Sequence, residues 1–184
     1  MNRQQCFILI LILLFIMNGC SKTGNVHDAA RAGDLEQLER ILTKDPSLVN
    51  SLDVDKMTPL HYAIDEGKLE AASLLIGKGA EINAVNYKKQ TPLHIAAYEG
   101  KAGAVKLLLE HGADITMREM RGRIPLFLAT NWGHDLETAR LLIDAGSDVN
   151  DKTPRGEIVL VSTLNTERVS PSFLRMETNC FSYL

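Results

Sequence analysis

Five imidazoles and three thiols are the side chains in this 184-residue sequence best suited to chemistry at neutral pH: His27, His61, His94, His111 and His134, with Cys6, Cys20 and Cys180. Gathered histidines can move protons or hold a metal, and a thiolate can attack, ligate zinc or pair. Spacing argues against most of these. The thiols are odd in number and no CxxC occurs, so neither a disulfide framework nor a zinc pattern is written here. GxSxG, HExxH and a glycine-rich phosphate loop are absent. Asp34, Glu36 and Glu39 read as a solvated helix face, and Cys180 has no histidine near it in sequence.

The elements that position the histidines explain them better. Thr58-Pro59-Leu60-His61-Tyr62-Ala63 returns 33 residues later as Thr91-Pro92-Leu93-His94-Ile95-Ala96. A looser copy, Ile124-Pro125-Leu126-Phe127-Leu128-Ala129, follows after another 33. A fixed period of this length marks a stacked repeat architecture. Residues at one point of such a period are spread along a stack, so the histidines read as structural. Within each unit, Thr58 or Thr91 suits a helix N-cap and the following proline its first turn. Gly67, Gly100 or Gly133 then breaks the helix, a leucine-rich second helix follows, and Gly79, Gly112 or Gly146 ends it. The last interval, Gly112 to Gly146, is 34, which places one extra residue between Trp132 and Glu137.

TPLHIAAYEGKAGAVKLLLEHGADI, residues 91–115, resembles the ankyrin repeat, and the likeness extends over 58–157. His27-Asp28-Ala29-Ala30-Arg31-Ala32-Gly33-Asp34-Leu35 fits part of the same motif. The resemblance implies an all-α ankyrin-repeat solenoid: helix-turn-helix repeats carrying β-turn or hairpin fingers. Its expected units are a capping repeat at 24–57 and repeats at 58–90, 91–123 and 124–156. Residues 157–184 read as a degenerate partial repeat and irregular tail, either a cap or the trace of truncation or a frame shift. The family implies that His27, His61 and His94 bridge neighbouring turns by hydrogen bonding. His111 and His134 fall in consensus-like settings.

At the other end, Phe7 to Met17 runs through eleven apolar residues after a short start containing Arg3. That is short for a bilayer crossing, which takes about 20 residues, and suits a signal-peptide core. A short membrane anchor is the competing reading. Met17-Asn18-Gly19-Cys20 resembles the lipobox of bacterial lipoproteins, in which a small residue precedes a cysteine that receives diacylglycerol; Met17 and Asn18 depart from the commoner residues. The resemblance implies a signal peptide at 1–19, lipidated Cys20 and a short linker, 20–23. Ser21, not being aspartate, favours the outer membrane, on its periplasmic face, within a bacterial envelope. A secreted product is the alternative. Acyl chains contribute about 0.8 kcal/mol per buried methylene, enough for a tether when two or more act together.

A net charge of −3 and the lack of any Lys/Arg run argue against nucleic acid as a partner. No cofactor, metal or small-molecule substrate is expected, and no enzyme. Ankyrin proteins bind partners through their turn tips and the exposed side of the first helix. Carried over, that assigns contact to Met57, Asp65 and Glu66, to Tyr87, Gln90 and Tyr98, and to Met120, Arg121, Arg123, Asn131 and Trp132. Trp, Tyr and Arg are the types that dominate hot spots. Trp132 either contacts the partner or packs against the extra residue. Arg118, Arg121 and Arg123 read as a basic end, and Asp53, Asp55, Asp65 and Glu66 as an acidic one. The expected function is membrane-tethered, non-catalytic capture of an unidentified protein; the alternative is an inhibitor or immunity protein occluding an envelope enzyme or toxin.

Overall fold

Each Thr-Pro step starts a helix for a local reason. Thr58 and Thr91 hold extended backbone, and their hydroxyls accept the amides of His61 (3.4 Å) and His94 (3.3 Å). In return His61 Nδ1 accepts the Thr58 amide at 3.1 Å, and His94 Nδ1 that of Thr91 at 3.2 Å. Two donors that helix geometry would otherwise leave free are thereby satisfied at each start.

A computed structural model gives the architecture for residues 25–133 and 135–156. The expected signal peptide, Cys20 and its linker, His134, and the tail 157–184 with Cys180 lie outside the described residues. The helices are α1 (Val26–Ala32), α2 (Leu35–Lys44), α3 (Pro59–Asp65), α4 (Leu69–Gly77), α5 (Pro92–Tyr98), α6 (Ala102–Glu110), α7 (Pro125–Leu128) and α8 (Leu136–Asp144). A 3-10 turn, Pro46–Asn50, follows α2. The short helices α1, α3, α5 and α7 stack in series, and α2, α4, α6 and α8 form a second layer behind them.

The core repeats with the chain. Leu60, Leu93 and Leu126 fill the front layer and Leu75, Leu108 and Leu142 the rear, all with no exposed surface. Ala63 and Ala96, equally buried, let neighbouring front helices approach closely. Asn50 Oδ1 accepts the Glu81 amide at 2.8 Å, and Asn83 Oδ1 that of Asp114 at 2.9 Å, tying each lower turn to the next repeat.

Between helix pairs the chain projects a finger. Each is closed by a backbone bond from its first amide to its last carbonyl, Asp53 to Met57 (3.2 Å), Asn86 to Gln90 (3.0 Å) and Glu119 to Arg123 (3.0 Å). A turn bond also runs from Lys56, Lys89 or Gly122 N–H back to the first carbonyl (3.1, 2.9 and 2.8 Å). A side-chain oxygen of the first residue also accepts amides inside its own finger. Asp53 takes those of Asp55 and Met57, Asn86 those of Lys88 and Gln90, and Glu119 that of Arg121. Adjacent tips are joined as well, Tyr87 N–H to the Asp55 carbonyl (3.0 Å) and Met120 N–H to that of Lys88 (2.9 Å). Pro154 holds the next tip position and has no amide to give.

One tip position demands a left-handed backbone: Lys56 (φ 57°), Lys89 (φ 58°) and Gly122 (φ 79°) occupy it. At Gly122 a Cβ would also come within 2.7 Å of Pro154 Cγ. Gly112, at φ 82°, has nothing within 4 Å of its Cβ position. Gly122→Ala is therefore expected to cost about 1–3 kcal/mol in urea denaturation, and Gly112→Ala only the backbone share near the low end of that range. Equal costs would mean the Pro154 contact carries no energy.

The extra residue of the last repeat does not lie between Trp132 and Glu137 alone. It is absorbed as a wide π turn over Ala129–Gly133, which continues α7 and begins upstream of that stretch. A helix can take up one residue this way, whereas Asp135 must stay in place to cap α8 by accepting the Thr138 amide at 2.9 Å. Polar side chains serve the carbonyls of the preceding turn: Thr130 Oγ1 donates to Leu126 O (3.1 Å) and Asn131 Nδ2 to Phe127 O (3.0 Å). This repeat also lacks the Thr-His box, because Ile124 and Phe127 replace it. Ser147 Oγ is buried with no partner among the described residues, where Ala80 and Ala113 hold the equivalent places.

Candidate functional site

The fingers and the front helices enclose one concave groove of about 740 Å³. From the fingers come Met57, Tyr87 and Gln90, and then Met120, Arg121 and Arg123; from the helix side come Asp65, Tyr98 and Trp132. These nine expected contact residues share one surface because the fingers and the ends of the front helices face the same side of the stack. Glu66 and Asn131 do not line it. Glu66 caps the end of α3, and the Asn131 amide is engaged by the Phe127 carbonyl.

Trp132 packs against Phe127 of its own repeat and against Arg123. Its ring lies 5.7 Å from that of Phe127, with the Arg123 guanidinium 4.7 Å from its centroid. It nevertheless keeps 42% of its surface exposed toward the groove, and Tyr87, Tyr98 and Met120 keep 49%, 46% and 61%. Exposed aromatic and sulfur-bearing side chains in a concavity offer contact area at low conformational cost.

The expected basic end is largely neutralised. Arg123 Nε meets Glu119 Oε1 at 2.7 Å, both nearly buried, and Arg118 Nη2 meets Asp151 Oδ1 at 2.5 Å. Burial alone would raise the Glu119 carboxyl, but hydrogen bonds from Arg123 and from the Arg121 amide outweigh it and hold the group below the ordinary glutamate range. Arg118 is pulled out of the groove by Asp151 and by the Gly122 carbonyl, 2.7 Å away. Of the three arginines, Arg121 alone has a side chain without an acidic partner among the described residues.

Asp53 likewise belongs to the frame rather than to a charged rim. Its carboxylate accepts two finger amides and the Tyr62 hydroxyl. Those hydrogen bonds overcome burial and lower the carboxyl, while the same bond pushes the Tyr62 phenol up to about 12. Tyr62 is itself covered by Arg31, 4.3 Å from its ring. Sequence reasoning missed Tyr62, Asn86, Ile95 and Glu119 as groove lining. A signal existed for two of them: Asn86 and Glu119 follow Asp53 at 33-residue steps, a column of side-chain acceptors.

The histidines act as bridges between repeats. His61 Nε2 lies 3.1 Å from Gln90 O, His94 Nε2 3.2 Å from Arg123 O, and His27 Nε2 2.9 Å from Ser51 O. The three do not converge. His111 Nδ1 makes a local bond to Leu107 O at 2.8 Å. Among the described residues no group of three His, Cys, Asp or Glu side chains is placed to hold a metal.

Paired helices stacked in register, with fingers roofing a shared groove, define a repeat protein of the helix-turn-helix solenoid class. A family model of ankyrin repeats (three copies) matches residues 26–119 and 87–153, and the chain belongs to the ankyrin-repeat family. It is 46% identical over 55 residues to a nematode (Caenorhabditis elegans) homolog of transient receptor potential cation channel subfamily A member 1. That match covers 30% of this chain and 4% of the channel protein. Two rice (Oryza sativa subsp. japonica) proteins are similar too: E3 ubiquitin-protein ligase XB3, 40% identical over 65 residues, and probable E3 ubiquitin-protein ligase XBOS32, 41% over 66. These cover 33% and 35% of this chain, and 14% and 13% of the rice proteins. The chain thus spans a small fraction of each relative. Ankyrin repeats are protein-interaction modules.

Proposed function

We propose that this chain captures a protein partner in its concave groove without catalysis, and is held at a membrane through lipidated Cys20. The observation that carries the binding half is Trp132, braced by Phe127 and Arg123 yet open to the groove. A side chain held this way loses little entropy on contact, which is what a hot spot needs. The tether rests on sequence: eleven apolar residues ending at Asn18-Gly19-Cys20. No helix among the described residues is long and apolar enough to cross a membrane. A bacterial envelope, with the outer membrane favoured by Ser21, is the proposed location.

Crosslinked capture from envelope extracts tests both halves. Trp132→Ala and Arg121→Ala are each expected to lower capture of the same partner about tenfold or more, in line with hot-spot truncations. Cys20→Ser should release the protein from membranes and leave partner binding intact. Unchanged capture by both groove variants would remove the groove assignment, and a mature N-terminus other than acylated Cys20 would remove the tether.

A further inference from the structure

Charge runs along the groove as a gradient once the internal ion pairs are set aside. The stack advances one repeat per 33 residues, so equivalent positions form columns crossing it. The tip column reads Asp55, Lys88, Arg121 and changes sign along the stack. The column at the ends of α3, α5 and the π turn reads Glu66, Glu99, Trp132, and beside it Asp65 gives way to Tyr98. Asp55, Asp65 and Glu99 line the groove and form no ion pair among the described residues. The nearby Lys101 ammonium is bound to the Asp65 backbone carbonyl instead. At the far end the Arg123 charge is balanced by Glu119, which leaves Arg121 as the cation on offer. Beside it the Arg121 carbonyl also lacks the tip-to-tip bond made by its counterparts, since Pro154 cannot donate.

From this gradient we infer that the groove takes an extended peptide segment of zwitterionic pattern. A basic side chain sits against Asp55, Asp65 and Glu99, apolar side chains lie on Tyr87, Tyr98 and Trp132, and an acidic side chain meets Arg121. The inference deepens the groove reading above and rests on it. Packed helices lie about 8–10 Å apart, and an extended chain rises about 3.3 Å per residue. Such a segment therefore uses about three residues per repeat and about ten to cross the groove. Opposite charges held near opposite ends fix its register and its direction.

The full chain in detergent micelles carries its own reporter, because Trp132 is the sole tryptophan. Its emission is followed while adding pools of peptides about ten residues long, with interiors randomised over apolar and small polar residues. Four pools carry Lys/Asp, Asp/Lys, Lys/Lys or Asp/Asp near their two ends. One mixed-charge pool is expected to bind about tenfold tighter than either like-charge pool, with the preference shrinking as salt rises. Arg121→Glu should move the preference to Lys/Lys, and Asp65→Lys to Asp/Asp. Equal binding of the four pools, a preference that neither reversal moves, or no binding of any pool overturns the inference and leaves the groove reading standing. Peptides that bind Trp132→Ala as well as wild type and leave the emission of Trp132 unchanged overturn the groove reading itself.

Discussion

Lowering the pH from about 7.5 to about 4.5 is expected to remove most of the stability of the fold, because two buried histidines must stay neutral in it. His61 and His94 have no exposed surface, and burial pulls each from the ordinary 6.5 down to about 4. The hydrogen bonds make the same demand. Nδ1 of each ring accepts the amide of Thr58 or Thr91, while Nε2–H donates to the carbonyl of Gln90 or Arg123. A second proton on Nδ1 would face a donor.

The unfolded chain takes up these protons near pH 6.5 and the folded chain only near 4, so the stabilisation is complete above 6.5 and is lost as pH falls between them. At about 1.4 kcal/mol per unit, each site is worth roughly 3 kcal/mol, an order-of-magnitude figure. Two such sites rival the 5–15 kcal/mol typical of a whole domain. The lowered carboxylates Asp53, Asp114 and Glu119 add to the loss only below their ordinary values, later in the titration. Urea midpoints followed by helical circular dichroism across this range check the expectation. His94→Gln should be less stable at neutral pH yet show about half the wild-type slope between 6.5 and 4; an undiminished slope would mean other groups govern acid unfolding.

Leu93→Ala is expected to cost about 2–5 kcal/mol at neutral pH, the largest single-residue effect we foresee. Leu93 is fully buried on α5, the front helix that packs on both α3 and α7. Truncating it opens a cavity at the centre of the stack, where coupling between repeats is carried by nearest neighbours only. The urea transition should broaden as well as shift, because the two halves lose their common partner. Leu93→Met, which keeps the volume, should cost under about 1.5 kcal/mol. Val54→Ala, on a fully exposed tip, should stay within about 0.5 kcal/mol. A Leu93→Ala protein with a wild-type midpoint would place the core elsewhere.

The fold was legible because the period wrote each local signal more than once. Thr58 and Thr91 predict their own helix starts, and Leu60, Leu93 and Leu126 predict the layer they fill. Groove membership came instead from the ankyrin resemblance, which assigned the turn tips and the exposed side of the first helix, Tyr87 and Met120 among the former and Tyr98 and Trp132 among the latter. Charge was less legible, because a sequence shows which groups ionise and not which of them meet. Arg123 reads as a groove cation until Glu119, four residues earlier, is seen to turn inward and take it. The π turn was legible only as a surplus of one residue. Whether such a surplus enters a loop or a helix depends on which polar side chains stand ready to serve the disturbed carbonyls, and here Thr130 and Asn131 do so.

That wide turn has a consequence for motion. The repeat that bears Trp132 lacks the Thr-His box, holds a buried hydroxyl, that of Ser147, with no partner among the described residues, and spends part of its front helix in a looser hydrogen-bond pattern. Local opening is cheapest where such securing is thinnest. Amide hydrogens of 125–144 should therefore exchange with solvent faster than their counterparts in 92–110. The proposed binding groove thus has one firm side and one yielding side, and a ligand held against Trp132 is expected to slow exchange along α8, far from any contact.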